Sequence, residues 1–407
     1  MSTFDITAIR SNFPALQQQV YGKPLVYLDN AATTQKPQCV VRAIDEMNAK
    51  INANIHRAVH YLAVQCTERY EQARETIRRF INADKPQEII FTAGTTAAIN
   101  LLAFSFGERF VRNGDEIIVT EAEHHSNIVP WQLLCERKGA TLKILPVDDT
   151  GRLQTEKLPE ILTGKTRILC VTQVSNVLGV VNPVKTIIQL AHAHHVPVLI
   201  DGAQGIVHED VDVQALDCDF YVFSGHKLYG PTGIGVLYGK EKWLEQLPPY
   251  QSGGDMIASV SFTKTTFAGL PLKFEAGTAN YIGAHGLATA INYLQSIGSA
   301  AARAYEQQLT AYAVEALSTI GGLQIYGAAA PKTSVLSFSI NGVHPSDAAA
   351  ILDKLGIAVR TGRLCADTLM QRFRLQGMIR ASLAFYNTKE EIDALVNGLR
   401  QVQKMMH

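Results

Sequence analysis

Cysteine pairs are missing from this chain of 407 residues. Its six cysteines, Cys39, Cys66, Cys135, Cys170, Cys218 and Cys365, stand apart, with no C-x-x-C motif and no regular spacing. That pattern argues against a disulfide scaffold and a cysteine zinc cage. Five of the six read as small buried hydrophobes, Cys365 being set aside. Long apolar runs are missing too: none approaches the ~20 residues that cross a bilayer. The start of the chain, Met1 to Arg10, has neither the basic region nor the apolar core of a secretory signal. A cytoplasmic location with no membrane partner is the expectation. Excess charge of one sign is also absent, with 37 Lys+Arg against 37 Asp+Glu. A protein that mainly clamps nucleic acid needs a basic surface, so none is expected as a partner. What the chain does have is 47% hydrophobic residues with 18% charged, a profile of buried cores rather than disorder.

Short Val- and Ile-rich runs alternate with longer helical stretches. Strands are predicted at 88–92, 116–120, 142–147, 167–174, 197–200, 220–223 and 235–238, with helices at 95–106, 128–138 and 186–195. Strands separated by ten to fifteen helical residues signal βαβ units. The predicted class is therefore α/β, a large domain with a mostly parallel sheet flanked by helices. Past about residue 290 the pattern changes. A long helix, 284–317, leads to strands at 334–340, 358–360 and 379–383 and a final amphipathic helix at 389–405, which reads as a smaller α+β C-terminal domain. The division drawn is 20–290 for the large domain, and 1–19 with 291–407 for the small one. Residues 250–280 show little regular pattern.

Polar residues crowd the C-terminal ends of these strands, where open α/β sheets bind ligands. Strand 88–92 runs into Ala93-Gly94-Thr95-Thr96 and a helix. A glycine turn with threonine hydroxyls at a helix start suits an anion, and a plain helix cap would look the same. Strand 116–120 delivers Glu121-Ala122-Glu123-His124-His125. Adjacent loop histidines seldom chelate one metal, so stacking or acid–base work is preferred and no metal site is expected. Strand 197–200 delivers Asp201-Gly202-Ala203-Gln204, a desolvated carboxylate that needs a cationic or N–H partner. Strand 220–223 delivers Ser224-Gly225-His226-Lys227; burial would make such a lysine a candidate imine-forming amine, though taken alone it reads as a solvated surface charge. An anion cradle, a ring-stacking His, an Asp and a Lys are together the parts pyridoxal 5'-phosphate requires.

At these residues the sequence resembles the class V pyridoxal-phosphate-dependent aminotransferase family. The resemblance is carried by Tyr27-Leu28-Asp29-Asn30-Ala31-Ala32-Thr33-Thr34, Glu123-His124-His125, Val174-Ser175-Asn176, Asp201-Gly202-Ala203-Gln204 and Ser224 through Gly235. Within that family it is most similar to group II, SUF-type cysteine desulfurases, also described as selenocysteine lyases. It runs as far as Arg380-Ala381-Ser382 and Tyr386-Asn387-Thr388.

The resemblance implies a fold type I pyridoxal-phosphate enzyme that converts L-cysteine to L-alanine. It leaves a persulfide on Cys365 and supplies sulfur for iron–sulfur cluster assembly, with L-selenocysteine as an alternative substrate. By the same resemblance Lys227 carries the cofactor and moves a proton, Asp201 pairs with the pyridinium nitrogen, and Gln204 contacts the ring oxygen. His124 stacks on the ring and serves in acid–base steps. Thr95, Thr96, Ser224 and His226 hold the phosphate. Thr278 reaches the phosphate of a neighbouring subunit, which implies a homodimer. Asn176 and Arg380 fix the substrate carboxylate. Arg360 is included among the substrate contacts, and Arg360 and Arg363 are expected to favour a Cys365 thiolate. A sulfur-acceptor protein of the SUF pathway is the implied partner. Leu364 stands where group II members carry His, Ala93 and Ala97 where the family carries charges, and Ala279 where Pro is usual. The alternative activity is that of an aminotransferase, lyase or epimerase using the same cofactor without a persulfide.

Overall fold

The computed structural model describes residues 4–406; residues 1–3 and 407, assigned from sequence to the small domain, lie outside them. Seven strands build the central sheet: β1 Ile89–Thr92, β2 Glu116–Thr120, β3 Thr141–Leu145, β4 Thr166–Thr172, β5 Val198–Asp201, β6 Phe220–Ser224 and β7 Gly235–Gly239. Their spatial order is β1-β7-β6-β5-β4-β2-β3. All neighbours pair in parallel except β7, which runs antiparallel to β1 and β6. Alternate residues feed two cores, as a period of two demands. Leu199, Phe220, Val222 and Leu237 face a core with Phe106 and Trp131, which lie on the helices Thr95–Phe110 and Val129–Lys138. Ile200, Tyr221, Phe223 and Val236 face the other, with Ile187 and Leu287. Burial on both faces is why β5, β6 and β7 read as unbroken apolar runs. It also fixes which strand ends open to a ligand.

All seven strands predicted for this sheet are present, with ends shifted by one or two residues. The run predicted at 142–147 stops at Leu145, because Pro146 has no N–H to give the ladder. The long helix predicted at 284–317 is two helices, Tyr281–Ser296 and Ser299–Ser318. Gly298 separates them at φ +85°, a left-handed conformation that glycine adopts without a Cβ penalty. The drawn boundary at 290 thus falls inside the first helix, and the chain breaks eight residues later.

Beyond it, a four-stranded antiparallel sheet runs Leu323–Ile325, Val335–Ile340, Met378–Ser382, Arg360–Gly362. The helices Ser299–Ser318, Pro345–Lys354 and Lys389–Met406 cover it around Leu309, Phe338, Leu352 and Leu399. The strand predicted at 358–360 is split: Ile357–Ala358 pairs in parallel with Val26–Tyr27, and Arg360–Gly362 joins the sheet. Residues 250–280, patternless in sequence, hold an exposed hairpin of Ile257–Val260 and Thr265–Phe267. Cys39 departs from its expected burial and is exposed. His192, on the helix Val184–Ala193, is half-buried, with Nε2 2.7 Å from an Asp219 oxygen.

Candidate active site

A cavity of about 460 Å³ opens where β4, β5 and β6 end. Asp201, the last residue of β5, is 3% exposed, and its Oδ1 accepts a hydrogen bond from the Ala203 N–H at 2.9 Å. Burial raises its pKa, and no cation lies within ion-pair distance of it among the described residues. Beside it Gln204 donates from Nε2 to the Ala31 carbonyl at 2.7 Å. Beyond β6 a short turn, Gly225–Lys227, brings Lys227 to the cavity wall. Burial pulls its ammonium down to about 8, while the Asp201 carboxylate pulls the other way.

At the anion end, the helix Thr95–Phe110 begins on Gly94. The Thr95 N–H donates to Ser224 Oγ at 2.8 Å, and the two side-chain oxygens are also 2.8 Å apart. Two glycines let the backbones meet here. A Cβ on Gly235 would lie 2.4 Å from Gly94 Cα, and Gly94 itself has φ +150°. Thr96 and His226 complete this end. Burial, then the nearby Lys227 and Lys36 charges, hold His226 down at about 4, so it is neutral at pH 7.

His124 also lines the cavity. Its Nδ1 accepts the Ser126 N–H at 3.1 Å and lies 2.7 Å from Ser126 Oγ. Burial first, then Lys227, lowers its pKa to about 4, so the ring is neutral with its proton on Nε2. Beneath it Glu123 is fully buried and accepts from Thr120 Oγ1, Asn127 Nδ2 and the Thr172 N–H. Burial pushes its carboxyl up to about 8.

Arg380 enters from the strand Met378–Ser382 and is 3% exposed. Its Nη1 donates to the Asn176 carbonyl at 2.8 Å and its Nη2 lies 3.4 Å from Asp29 Oδ1. Nε is buried without a partner, and burial lowers the guanidinium to about 10. Arg360 lines the cavity as well, yet its guanidinium grips Asp29 through Nε at 3.1 Å and Nη2 at 2.8 Å.

Cys365 is exposed on the same wall, in a loop where it and Leu364 both adopt φ near +55°. Non-glycine residues hold that conformation at a cost of roughly 1–2 kcal/mol each, so something must over-determine it. The restraints are specific. Asn176 Nδ2 donates to Leu364 O at 2.9 Å, the His125 N–H donates to Cys365 O at 2.9 Å, and the Asp367 N–H donates to His125 Nε2 at 3.1 Å. Leu364 is buried at 7% exposure, a placement a histidine there would resist. Both arginines expected to favour a Cys365 thiolate are engaged by carboxylates. Arg360 is paired with Asp29, and Arg363 Nη1 is 2.6 Å from Asp367 Oδ1.

Of the thirteen residues singled out from sequence, twelve line one cavity. Thr278 does not; it is exposed on the segment after Phe274. His56 lies outside the cavity, with Nε2 3.3 Å from a Glu71 oxygen. Sequence reasoning passed over Asp29, Ser126 and the side chain of Glu123. Asp29 and Glu123 stood inside the motifs already quoted, so their position beside the chemistry was the available signal.

A sequence model of the aminotransferase class-V family matches residues 26–395. The chain is 50% identical, over 98% of its length, to a cysteine desulfurase of Synechococcus elongatus, of whose length it spans 64%. It is 49% identical, over 99% of its length, to a cysteine desulfurase of Serratia proteamaculans, which it spans completely. Among solved structures it is similar to the cysteine desulfurase CsdA of Escherichia coli in an S-sulfonic acid form. There the TM-score is 0.93 with 41% identity, covering both chains in full.

Proposed function

The chain belongs to the aminotransferase class-V family, and within that family we propose that it is a pyridoxal-phosphate-dependent cysteine desulfurase. The observation that carries this reading is that Cys365 lines the same cavity as Lys227, Asp201 and Arg380. An aminotransferase or epimerase needs the last three and has no use for a restrained, exposed thiol.

The residues present fit the cofactor. Asp201 is a buried carboxylate lacking a cation, which a pyridinium N–H satisfies. The Thr95, Thr96 and Ser224 cradle at a helix start suits a phosphate, and the Gly94–Gly235 contact lets the backbone close around it. Gln204 would contact the ring oxygen and His124 would cover the ring face, both lining the cavity. Bound there, pyridoxal phosphate supplies an electron sink for negative charge at the Cα of the amino acid it holds.

Lys227, with an amine near its ionisation point at neutral pH, attaches the cofactor and moves the Cα proton. Arg380, with Nε unpartnered, binds the substrate carboxylate, helped by Asn176. Arg360 acts by holding Asp29. His124 is neutral at pH 7 and carries a proton on Nε2, so it serves as a proton donor within the site. The Cys365 sulfur attacks the sulfur of L-cysteine. An S–S bond forms as the Cβ–S bond breaks, the carbon keeps the electron pair and gains a proton, and alanine and a Cys365 persulfide result. L-selenocysteine, with a weaker carbon–chalcogen bond, is the alternative substrate.

The same proposal includes a homodimer and a sulfur-accepting protein partner, with iron–sulfur cluster assembly as the destination of the sulfur. The hairpin tip Phe262, with Val260 and Phe267, is exposed close in sequence to Thr278, and Val59 and Tyr61 are exposed too. Apolar surface of that kind favours a second copy of the chain, against which Thr278 would reach the partner site. The division into a large domain and a small one, redrawn at Gly298, belongs to this proposal. So does a cytoplasmic location, which the six free cysteines support. No helix among the described residues is long and apolar enough to cross a membrane.

The test compares the holoprotein with its Cys365→Ala variant on L-cysteine, assaying alanine and sulfide together. Both products from the parent, and neither from a variant that keeps its visible absorption, are expected. Continued turnover by the variant would replace the reading with that of a class V enzyme working without a persulfide.

A further inference from the structure

One backbone carbonyl behind the site draws an unusual number of donors. The oxygen of His226, whose peptide group continues into Lys227, is approached by the Thr34 N–H at 3.1 Å, Thr33 Oγ1 at 3.0 Å, Thr34 Oγ1 at 3.2 Å and Lys36 Nζ at 3.0 Å. A carbonyl oxygen has two lone pairs, so four donors exceed what satisfying it requires. Its own turn does not use it, because the Leu228 and Gly230 N–H groups both go to Gly225 O. Thr34 Oγ1 in addition accepts the Tyr229 N–H at 2.9 Å, so segment 33–36 holds the 225–229 turn on both sides of Lys227.

Lys36 is the costly member of this cluster. Its other contacts are the Thr34 carbonyl and Thr33 Oγ1, and no carboxylate pairs with it among the described residues. Burial alone acts on the ammonium, holding it near 8. A half-buried cation with no counter-charge is unfavourable unless its geometry serves something.

We propose that Lys36 is a positioning residue for Lys227: with Thr33 and Thr34 it locks the His226–Lys227 peptide group, so that the Lys227 side chain swings from a fixed backbone. This rests on the reading of Lys227 as the cofactor-bearing residue. Attachment and proton transfer both need the amine placed within a fraction of an ångström, and misplacement by about 1 Å costs up to ~100-fold.

The experiment prepares the apoprotein of the parent, Lys36→Met and Lys36→Arg and follows recombination with pyridoxal phosphate by visible absorbance. Borohydride reduction and peptide mapping then locate the attached label, and thermal melting of each apoprotein reports the fold. Recombination of Lys36→Met is expected to be at least about tenfold slower than the parent's, and Lys36→Arg, which keeps a charged donor, is expected to recover most of the rate. The label is expected on Lys227 throughout. A parent-like rate for Lys36→Met with the label on Lys227 overturns the proposal and leaves the cofactor reading intact. A label away from Lys227 in the parent overturns the cofactor reading first. If Lys36→Met does not fold, Thr33→Val decides: it removes one donor at constant shape and should slow recombination about fivefold, and an unchanged rate overturns the proposal.

Discussion

The depressed pKa of Lys227 makes a quantitative prediction about how the apoprotein captures its cofactor. Only a neutral amine attacks an aldehyde. With a pKa of about 8 in place of 10.5, roughly one Lys227 in ten is neutral at pH 7, against about one in 3,000 for an ordinary lysine. Capture of pyridoxal phosphate by apoprotein should therefore rise nearly tenfold per pH unit between about 5.5 and 7.5, bend near 8 and level off by about 9. His124 and His226, both near 4, are silent over that range, whereas Lys36 and Glu123 also titrate near 8, so the shifts in variants of the groups that act on Lys227 assign the bend. Asp201 raises the Lys227 pKa and Arg380 lowers it. Asp201→Asn should accordingly move the bend to lower pH, and loss of the Arg380 charge should move it higher. Stopped-flow absorbance across the pH series measures the profile. A rate still climbing tenfold per unit at pH 9.5 would show that the cavity does not desolvate Lys227, and the account of its reactivity would fall.

Arg380→Lys keeps a cation but loses the planar fork, so KM for L-cysteine should rise by about 10- to 100-fold while cofactor absorption is unchanged; steady-state kinetics with absorbance spectra check both. Gly235→Ala places a methyl 2.4 Å from Gly94 Cα, where backbone cannot yield, and should lower stability by at least about 2 kcal/mol and loosen the phosphate cradle. Thermal melting with and without cofactor reads that loss. Arg74→Met leaves Glu275 buried beside Tyr70 and the Phe91 N–H without its bidentate cation, a change worth about 3–5 kcal/mol in chemical unfolding. Asn176→Ala removes the tether to Leu364 O, and alanine formation should slow about fivefold with cofactor binding intact.

What was legible in the sequence follows from where strands end. Asp201, His124 and Lys227 each lie within a few residues of an apolar run, and in a doubly wound sheet all such ends open on one edge. Their convergence was therefore readable from spacing. Arg380 comes from a separate sheet and Cys365 from the loop after that sheet's edge strand, and only family resemblance linked them to that edge. Charge placement was the illegible part. Arg360 and Arg363 stand within five residues of Cys365, and each is paired with a carboxylate, the distant Asp29 or the local Asp367. Sequence neighbours tell which charges are near a thiol, not which are already paired. The break at Gly298 was missed for a related reason: the flanking segments 284–296 and 299–317 are both good helix formers, and a single glycine costs a helix only about 1 kcal/mol. Continuing the helix was the cheaper reading locally. Packing decided otherwise, with Leu287 and Ile291 in the large core and Leu309 and Leu317 in the small one.

The run Tyr27 to Lys36 supplies no nucleophile and no acid, yet it touches the site from several sides. Asp29 bridges Arg360 and Arg380. The Ala31 carbonyl fixes Gln204. Asn30 Nδ2 donates to the Ser382 carbonyl at 2.7 Å, at the end of the strand that carries Arg380. Thr33, Thr34 and Lys36 surround the His226 carbonyl. Its first residue, Tyr27, pairs with Ala358 just ahead of Arg360, as Val26 before it pairs with Ile357. One short segment thus ties Arg360 and Arg380 of the small sheet to Lys227 and Gln204 of the large one. Displacing it would change substrate and cofactor geometry together. A substitution in this run should therefore alter kcat, KM and cofactor recombination at once, whereas one at Cys365 should abolish turnover and leave cofactor recombination unchanged.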